Sequence, residues 1–178
     1  MILESPSRKI AVLAEGLKFP EGPAFAADGS LWLVELKGES LVQIKDNTLK
    51  KYPVGGKPNG IAIDQQGNVW FCDSGRNEVR CFYPRTGGTE TMVRMVDLQD
   101  LDAPNDLAFD SEENLVFTCP GDSRKEPGGY VCVRQKNGKV KKITEGMYFP
   151  NGLAFSGMGS QLIIAETYKQ RLWKGEWD

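Results

Sequence analysis

The sequence of 178 residues contains no histidine. Histidine is the usual base of Ser-His-Asp triads and Cys-His dyads, and it is a frequent zinc ligand. Its absence excludes all of these sites. Any chemistry must therefore depend on carboxylates, amides, lysine, tyrosine, cysteine or a metal ion held by oxygen atoms.

Cysteine is scarce, and its four positions are Cys72, Cys81, Cys119 and Cys132. None belongs to a C-x-x-C pair, which argues against a structural zinc site. Each lies in an apolar run of the kind that forms strands. We therefore expect four buried, reduced thiols, with disulfides as the alternative for an exported protein.

The sequence also lacks a long apolar run, a signal-peptide core at its N-terminus and a stripe of basic residues, and its net charge is only −2. These absences argue against a membrane span, export and a nucleic-acid partner. We expect a soluble, cytoplasmic protein with no membrane partner, folded as a single domain over residues 1–178.

A motif that occurs four times organises the chain. It consists of proline, two residues that are mostly polar or glycine, and an apolar run with alanine four positions after the proline. The copies are FPEGPAF (19–25), KPNGIAI (57–63), APNDLAF (103–109) and FPNGLAF (149–155), and their prolines are 38, 46 and 46 residues apart. A polar turn and a second apolar run follow each copy. Such a period indicates a repeat architecture.

Within each repeat the segments have the features of strands, because they are short, rich in β-branched and aromatic residues, and separated by Gly, Asp and Asn. A third strand follows in each copy, and a fourth follows in three of them. Four antiparallel strands in about 40–45 residues are typical of a β-propeller blade. We therefore predict an all-β propeller of about four blades; a sandwich or barrel would not explain the common period.

The residues that follow the anchoring prolines are Glu21, Asn59, Asn105 and Asn151. The first strand of each propeller blade lines the central channel, so we expect these four residues to open the inner strands and their side chains to meet at one mouth. Carboxylate and amide oxygens suit Ca²⁺, Mg²⁺ or Mn²⁺. Asp106 stands where the other copies have glycine, and it would orient the ligands or move a proton. Ordinary turn chemistry of Pro-Asn-Gly remains the alternative.

These motifs, with NVWFCDSGRNEVRCF and LIIAETYKQRLW, resemble the SMP-30/gluconolactonase/luciferin-regenerating-enzyme family from about residue 10 onward. The resemblance implies a six-bladed propeller with a divalent cation in its channel, most often Ca²⁺, with Mg²⁺, Mn²⁺ or Zn²⁺ as alternatives. It assigns Glu21, Asn105 and Asn151 as metal ligands. Asn105 also matches a substrate contact, whereas Asn59 matches only a repeat position, and we assign both to substrate binding.

The resemblance also implies a hydrolase that opens a small lactone or ester. The family's later aspartate, the usual base or nucleophile, lies beyond the end of this chain, and Asp106 is our candidate substitute. About four of six blades are present. We therefore expect weak activity, and keep a non-catalytic binding module and an inactive fragment as alternatives. Open blade edges predict self-association, with Ile10, Val12, Leu13, Trp173 and Trp177 as contributors.

Three acidic residues align at the ends of the second strands, namely Glu35, Asp73 and Glu166. Charged residues at strand ends are mostly solvated. We expect these three to be exposed to water, with a supporting role behind the site residues as the alternative.

Overall fold

The computed structural model describes residues 11–177, and it consists of small antiparallel sheets arranged as four propeller blades. The predicted all-β propeller is therefore confirmed. No helix in the described range is long and apolar enough to cross a membrane. Two 3₁₀ helices of three residues each, Leu36–Gly38 and Thr167–Lys169, follow the second strands of the first and fourth blades.

The blades follow one another along the chain, and in each the strands pair in sequence order. In the first blade, β1 to β4 span Pro20–Phe25, Leu31–Glu35, Ser40–Lys45 and Thr48–Pro53. In the second, β5 to β8 span Pro58–Ile63, Val69–Asp73, Glu78–Tyr83 and Gly88–Val93. A small hairpin of β9 (Met95–Val96) and β10 (Gln99–Asp100) leads to the third blade. There, β11 to β14 span Leu107–Phe109, Leu115–Cys119, Gly129–Arg134 and Val140–Met147. In the fourth, β15 to β17 span Pro150–Phe155, Gln161–Glu166 and Arg171–Glu176.

Apolar side chains fill the layers between successive blades. Trp32 and Val34 of the first blade pack with Phe71 of the second, and Trp70 of the second packs with Phe117 of the third. The third and fourth blades share a similar layer. The first strands of the four blades are neighbours in the order β1, β5, β11 and β15. This arrangement places the repeated proline motifs side by side.

The first strand of the third blade begins later than predicted. β1, β5 and β15 begin at the motif's proline, whereas β11 begins at Leu107, so Asn105 and Asp106 precede it. Two backbone hydrogen bonds hold this segment to β12. One runs from the Asn105 N–H to the Thr118 carbonyl and the other from the Thr118 N–H to the Asp106 carbonyl, both 2.9 Å. The prediction that Asn105 opens a strand was wrong: this copy, which has Asp106 where the others have glycine, enters its sheet only at Leu107.

The carboxylates at the ends of the second strands are buried, which corrects the expectation of solvated side chains. Glu35 accepts a hydrogen bond from the Lys18 N–H (2.8 Å), and Glu166 accepts one from the Tyr148 N–H (2.7 Å). Burial alone would raise the pKa of Glu166, but hydrogen bonds from Arg171, the Tyr148 N–H and Trp173 lower it. These carboxylates fix the chain where it enters each first strand.

Asp73 has the same role in the second blade, where it accepts the Lys57 N–H at 2.8 Å. In the third blade Cys119 occupies the carboxylate's position, and a different group supplies the acceptor. The Asp102 N–H donates to the hydroxyl of Tyr130 at 3.0 Å. The repeat thus keeps the hydrogen bond while it changes the residue that accepts it.

All four cysteines are free and buried, as expected. Burial raises the pKa of the Cys72 thiol well above its usual value, and it raises the pKa of Cys81 to about 12. The thiols of Cys72 and Cys81 are therefore protonated at neutral pH, and all four cysteines pack in the layer between the second and third blades.

Candidate functional site

The predicted site residues lie at the same end of the neighbouring first strands. Glu21, Asn59 and Asn151 are the second residues of β1, β5 and β15, and Asn105 and Asp106 directly precede β11. Glu21 is exposed, whereas the other four are half-buried. The fold therefore gathers the candidates at one end of the channel, as the repeat predicted.

Backbone contacts join the first three motifs. The Gly60 N–H donates to the carbonyl of Asn105 at 2.6 Å, which links the second and third blades. A Cβ atom placed on Gly22 would lie 3.1 Å from the carbonyl oxygen of Asn59. Gly22 also has a φ of +56°, a left-handed conformation that favours glycine. Glycine at these positions lets the first strands of neighbouring blades approach one another around the channel.

The carboxylate of Asp106 occupies the space between these motifs. Its Oδ1 lies so close to the α-carbon of Gly60 that any Cβ there would clash with it, and its Oδ2 accepts the Leu153 N–H at 3.0 Å. Asp106 thus contacts the second and fourth blades from the third. The glycine of the neighbouring copy is what makes room for it.

The electrostatic setting of Asp106 is unusual for a carboxylate. Burial raises its pKa, hydrogen bonds from the Leu153 and Leu107 N–H groups lower it, and the negative charge of Glu21 raises it, with a net upward shift. No lysine or arginine within residues 11–177 forms an ion pair with Asp106. A cation at this position would compensate two nearby carboxylates at once.

The donor set fits a hard divalent cation. Glu21 offers a carboxylate oxygen, and Asn105 and Asn151 offer amide oxygens, which are the ligands that Ca²⁺ prefers, while Asp106 adds a second carboxylate nearby. The Asn151 Nδ2 donates to the hydroxyl of Thr167 at 3.3 Å. The set has few charges, however: in the part of the chain that the structure describes, no three His, Cys, Asp or Glu side chains cluster to hold a metal.

Sequence reasoning missed Thr118, which the structure places beside the site. It is buried in β12 and bonds both to the Asp106 N–H (3.1 Å) and to the Asn151 carbonyl (2.9 Å). The sequence signal that could have identified it is its hydroxyl, because the equivalent second-strand positions of the other blades hold Val34, Cys72 and Ala165.

Comparison with known proteins places this geometry in a family. The SMP-30/Gluconolactonase/LRE-like region matches residues 19–178. Among curated proteins, diisopropyl-fluorophosphatase of Loligo vulgaris is 28% identical over 191 residues, which cover 90% of this chain and 60% of the relative. A gluconolactonase of Zymomonas mobilis is 24% identical over 187 residues, which cover 90% of this chain and 52% of the relative.

Solved structures agree on the fold. A gluconolactonase from Xanthomonas campestris superposes with a TM-score of 0.85 at 23% identity, over 93% of this chain and 61% of that one. Regucalcin, a calcium-binding protein from Agrobacterium tumefaciens, gives a TM-score of 0.78 at 19% identity, over 94% of this chain and 57% of that one. The chain spans between about half and three fifths of the length of these relatives. It belongs to the SMP-30/gluconolactonase/LRE-like family.

Proposed function

We propose that this chain is a divalent-cation-dependent hydrolase that opens a small lactone or ester at the mouth formed by the four motifs. The observation that carries the proposal is the Asp106 carboxylate, which lies between the blades beside oxygen donors and forms no ion pair with the lysines and arginines of residues 11–177. The relatives named gluconolactonase and diisopropyl-fluorophosphatase, which are both hydrolases by name, support the reaction class.

The site residues have different roles in this proposal. Glu21, Asn105 and Asn151 would hold the cation, for which the calcium-binding neighbour regucalcin supports Ca²⁺, and a cation held there would supply positive charge to stabilise the oxyanion that forms during hydrolysis. Asn59 and Asn105 orient the substrate through their amides. Water is too weak a nucleophile at neutral pH, so the site also needs a base.

Asp106 is the base in this proposal. Its carboxylate takes a proton from water as the water oxygen bonds to the carbonyl carbon of the lactone. The ring C–O bond then breaks, and the departing oxygen receives the proton from Asp106. The product is a hydroxy acid, and Asp106 returns to its carboxylate form. The reaction needs no histidine, in agreement with the composition.

A binding module without catalysis is the second candidate. It is favoured by the small number of carboxylates at the mouth, because Glu21 and Asp106 are the two acidic residues that the structure brings together there. Such a module would keep the cation and a ligand but would not turn the ligand over.

Hydrolysis of glucono-δ-lactone with Ca²⁺ or Mn²⁺, compared with hydrolysis in EDTA, separates the two candidates. We expect the rate above the spontaneous background to require the cation and to return when excess Ca²⁺ follows EDTA. Cation binding by calorimetry without any hydrolysis above background would favour the binding module. A rate that is the same in EDTA would contradict the cation-dependent mechanism.

We also propose that the chain associates with a second copy through the outer face of the fourth blade. In the first three blades the third-strand residues of this face are Leu41, Val79 and Val131, and each is 0% exposed because the next blade covers it. Their counterpart in β17, Leu172, is 72% exposed. The outer face of the fourth blade thus has the apolar character of the three faces that the next blade covers. A blade of another copy could cover it in the same way.

The other predicted contributors to association differ in position. Trp173 pairs with Ile164 and Trp177 packs on Phe155, so both turn toward the third blade and away from the open face. On the first blade, Val12 and Leu13 are exposed as expected, although the segment that follows covers part of that blade's apolar surface. Ile10 lies outside the described residues.

Size exclusion with light scattering tests this association. We expect the wild-type chain to form oligomers whose mass rises with concentration, and Leu172→Glu to shift it toward the monomer. Leu98→Glu is the matched control, because Leu98 is 92% exposed at the β9–β10 turn, outside the fourth blade. A wild-type chain that stays monomeric at all concentrations would contradict the proposal, and so would equal dissociation by both substitutions.

A further inference from the structure

Thr118 differs from every residue at the matching position of the other blades. It is the fourth residue of β12, and the corresponding residues of β2, β6 and β16 are Val34, Cys72 and Ala165. Its side chain is fully buried. A buried hydroxyl is costly unless it is hydrogen-bonded, so its partners are informative.

The hydroxyl of Thr118 joins two blades at the candidate site. It accepts a hydrogen bond from the Asp106 N–H at 3.1 Å and lies 2.9 Å from the carbonyl oxygen of Asn151. The carbonyl of Asp106 is farther away, at 3.5 Å. Because a hydroxyl has one proton, it donates to the nearer acceptor, which belongs to the fourth blade.

The neighbouring pair of blades shows what this hydroxyl replaces. Between the second and third blades, the Gly60 N–H donates directly to the Asn105 carbonyl at 2.6 Å. The equivalent groups of the next pair are the Asp106 N–H and the Asn151 carbonyl, and here the Thr118 hydroxyl lies between them. Two hydrogen bonds in series therefore connect these blades where one connects the previous pair.

These two hydrogen bonds in series lie where the carboxylate of Asp106 enters the space between the blades. The Oδ2 of Asp106 reaches the Leu153 N–H in the fourth blade, two residues after Asn151. The backbone of Asp106 and the backbone of Asn151 are thus both fixed by one buried hydroxyl, and both residues belong to the candidate site. A buried partner of this kind holds functional groups in their productive orientation.

We propose that Thr118 is a positioning residue whose hydroxyl sets the distance between the third and fourth blades and so orients Asp106 and Asn151 toward the bound cation. The inference rests on the proposed cation-dependent function of this site. It assigns Thr118 no contact with substrate or metal. The two changes from the repeat, Asp106 in place of glycine and Thr118 in place of an apolar residue, are then parts of one arrangement.

Thr118→Val removes the hydroxyl and keeps the shape, and Thr118→Ser keeps the hydroxyl. We expect the valine variant to bind Ca²⁺ about 10–100-fold more weakly by calorimetry, the usual cost of losing a partner behind a metal ligand, and the serine variant to stay near wild type. Val116→Ala is the matched control: Val116 is buried on the same face of β12 and packs in the layer toward the fourth blade. It should lower stability without the loss in affinity.

A second measurement needs no metal. Amide hydrogen exchange of the metal-free protein should show that Thr118→Val loses protection at the Asp106 N–H, whereas Thr118→Ser and Val116→Ala keep it. If the valine variant does not fold, Thr118→Cys takes its place, because Cys72 shows that a thiol fits this position. We expect it to bind more weakly than the serine variant, since a thiol is a poor hydrogen-bond donor.

The outcomes separate the two proposals. Wild type without any Ca²⁺ binding would overturn the proposed function, and the Asp106 amide would still report whether Thr118 holds that turn. Wild type that binds Ca²⁺, together with a folded valine or cysteine variant of equal affinity and equal amide protection, would overturn the positioning role alone. Loss of affinity in Val116→Ala as large as in Thr118→Val would also overturn it.

Discussion

Asp106→Asn should reduce lactone hydrolysis by about 10²–10⁴-fold, the usual contribution of a positioned general base, while the protein still folds. The amide has nearly the shape of the carboxylate and its oxygen still accepts the Leu153 N–H, which lies 3.0 Å from Oδ2. It cannot take a proton from water. Substituting it also removes one of two neighbouring negative charges, so stability should fall little.

The measurement is the initial rate of glucono-δ-lactone opening in saturating Ca²⁺, corrected for spontaneous hydrolysis. Asp46→Asn is the control, because Asp46 is exposed in the turn between β3 and β4, where asparagine is equally suited to the left-handed conformation. A normal rate in Asp106→Asn would remove Asp106 from the reaction. A matching loss in Asp46→Asn would point to an effect unrelated to the site.

The blade architecture could be predicted from the sequence because the prolines, turn residues and apolar runs that define each repeat determine structure locally. Proline at 20, 58, 104 and 150 fixes where each copy begins, and alternating turns and apolar runs fix its strands. The sequence also predicted three strands in the fourth copy, and the structure has three there within residues 11–177. Repeats make such inference strong, since each copy is an independent instance of the same pattern.

The late start of β11 was not accessible in the same way. The pattern placed Asn105 in register with Asn59 and Asn151, but a single substitution of glycine by Asp106 changes how the backbone meets β12. The presence of Asp106 in place of glycine indicates a functional residue in the sequence. Its structural consequence depended on contacts with a neighbouring blade.

Long-range partners explain the remaining errors. Glu35 and Glu166 looked like solvated strand ends, yet they bond to N–H groups that are 17 and 18 residues earlier in the chain. The partners of Thr118 are 12 and 33 residues away. The sequence shows that such residues are polar, but only the arrangement of the blades shows which groups they meet.

Glu21→Gln should weaken Ca²⁺ binding more than any substitution of an amide at the site. Glu21 is the carboxylate among the proposed ligands, and affinity for Ca²⁺ depends strongly on how many negative charges surround the ion. The loss should exceed the roughly 10–100-fold that removal of an outer partner costs. Asn151→Ala removes an oxygen but no charge, so its effect should be smaller.

Calorimetric titration of Ca²⁺ into each variant gives the comparison directly. Glu112→Gln serves as the control, because Glu112 is an exposed glutamate in the turn between β11 and β12, at the opposite end of the blade from the proline motifs. It removes the same charge from the protein and should leave the affinity unchanged. Equal affinity in wild type and Glu21→Gln would end the assignment of Glu21 as a ligand. An equal loss in Glu112→Gln would mean that net charge, rather than the mouth of the channel, determines binding.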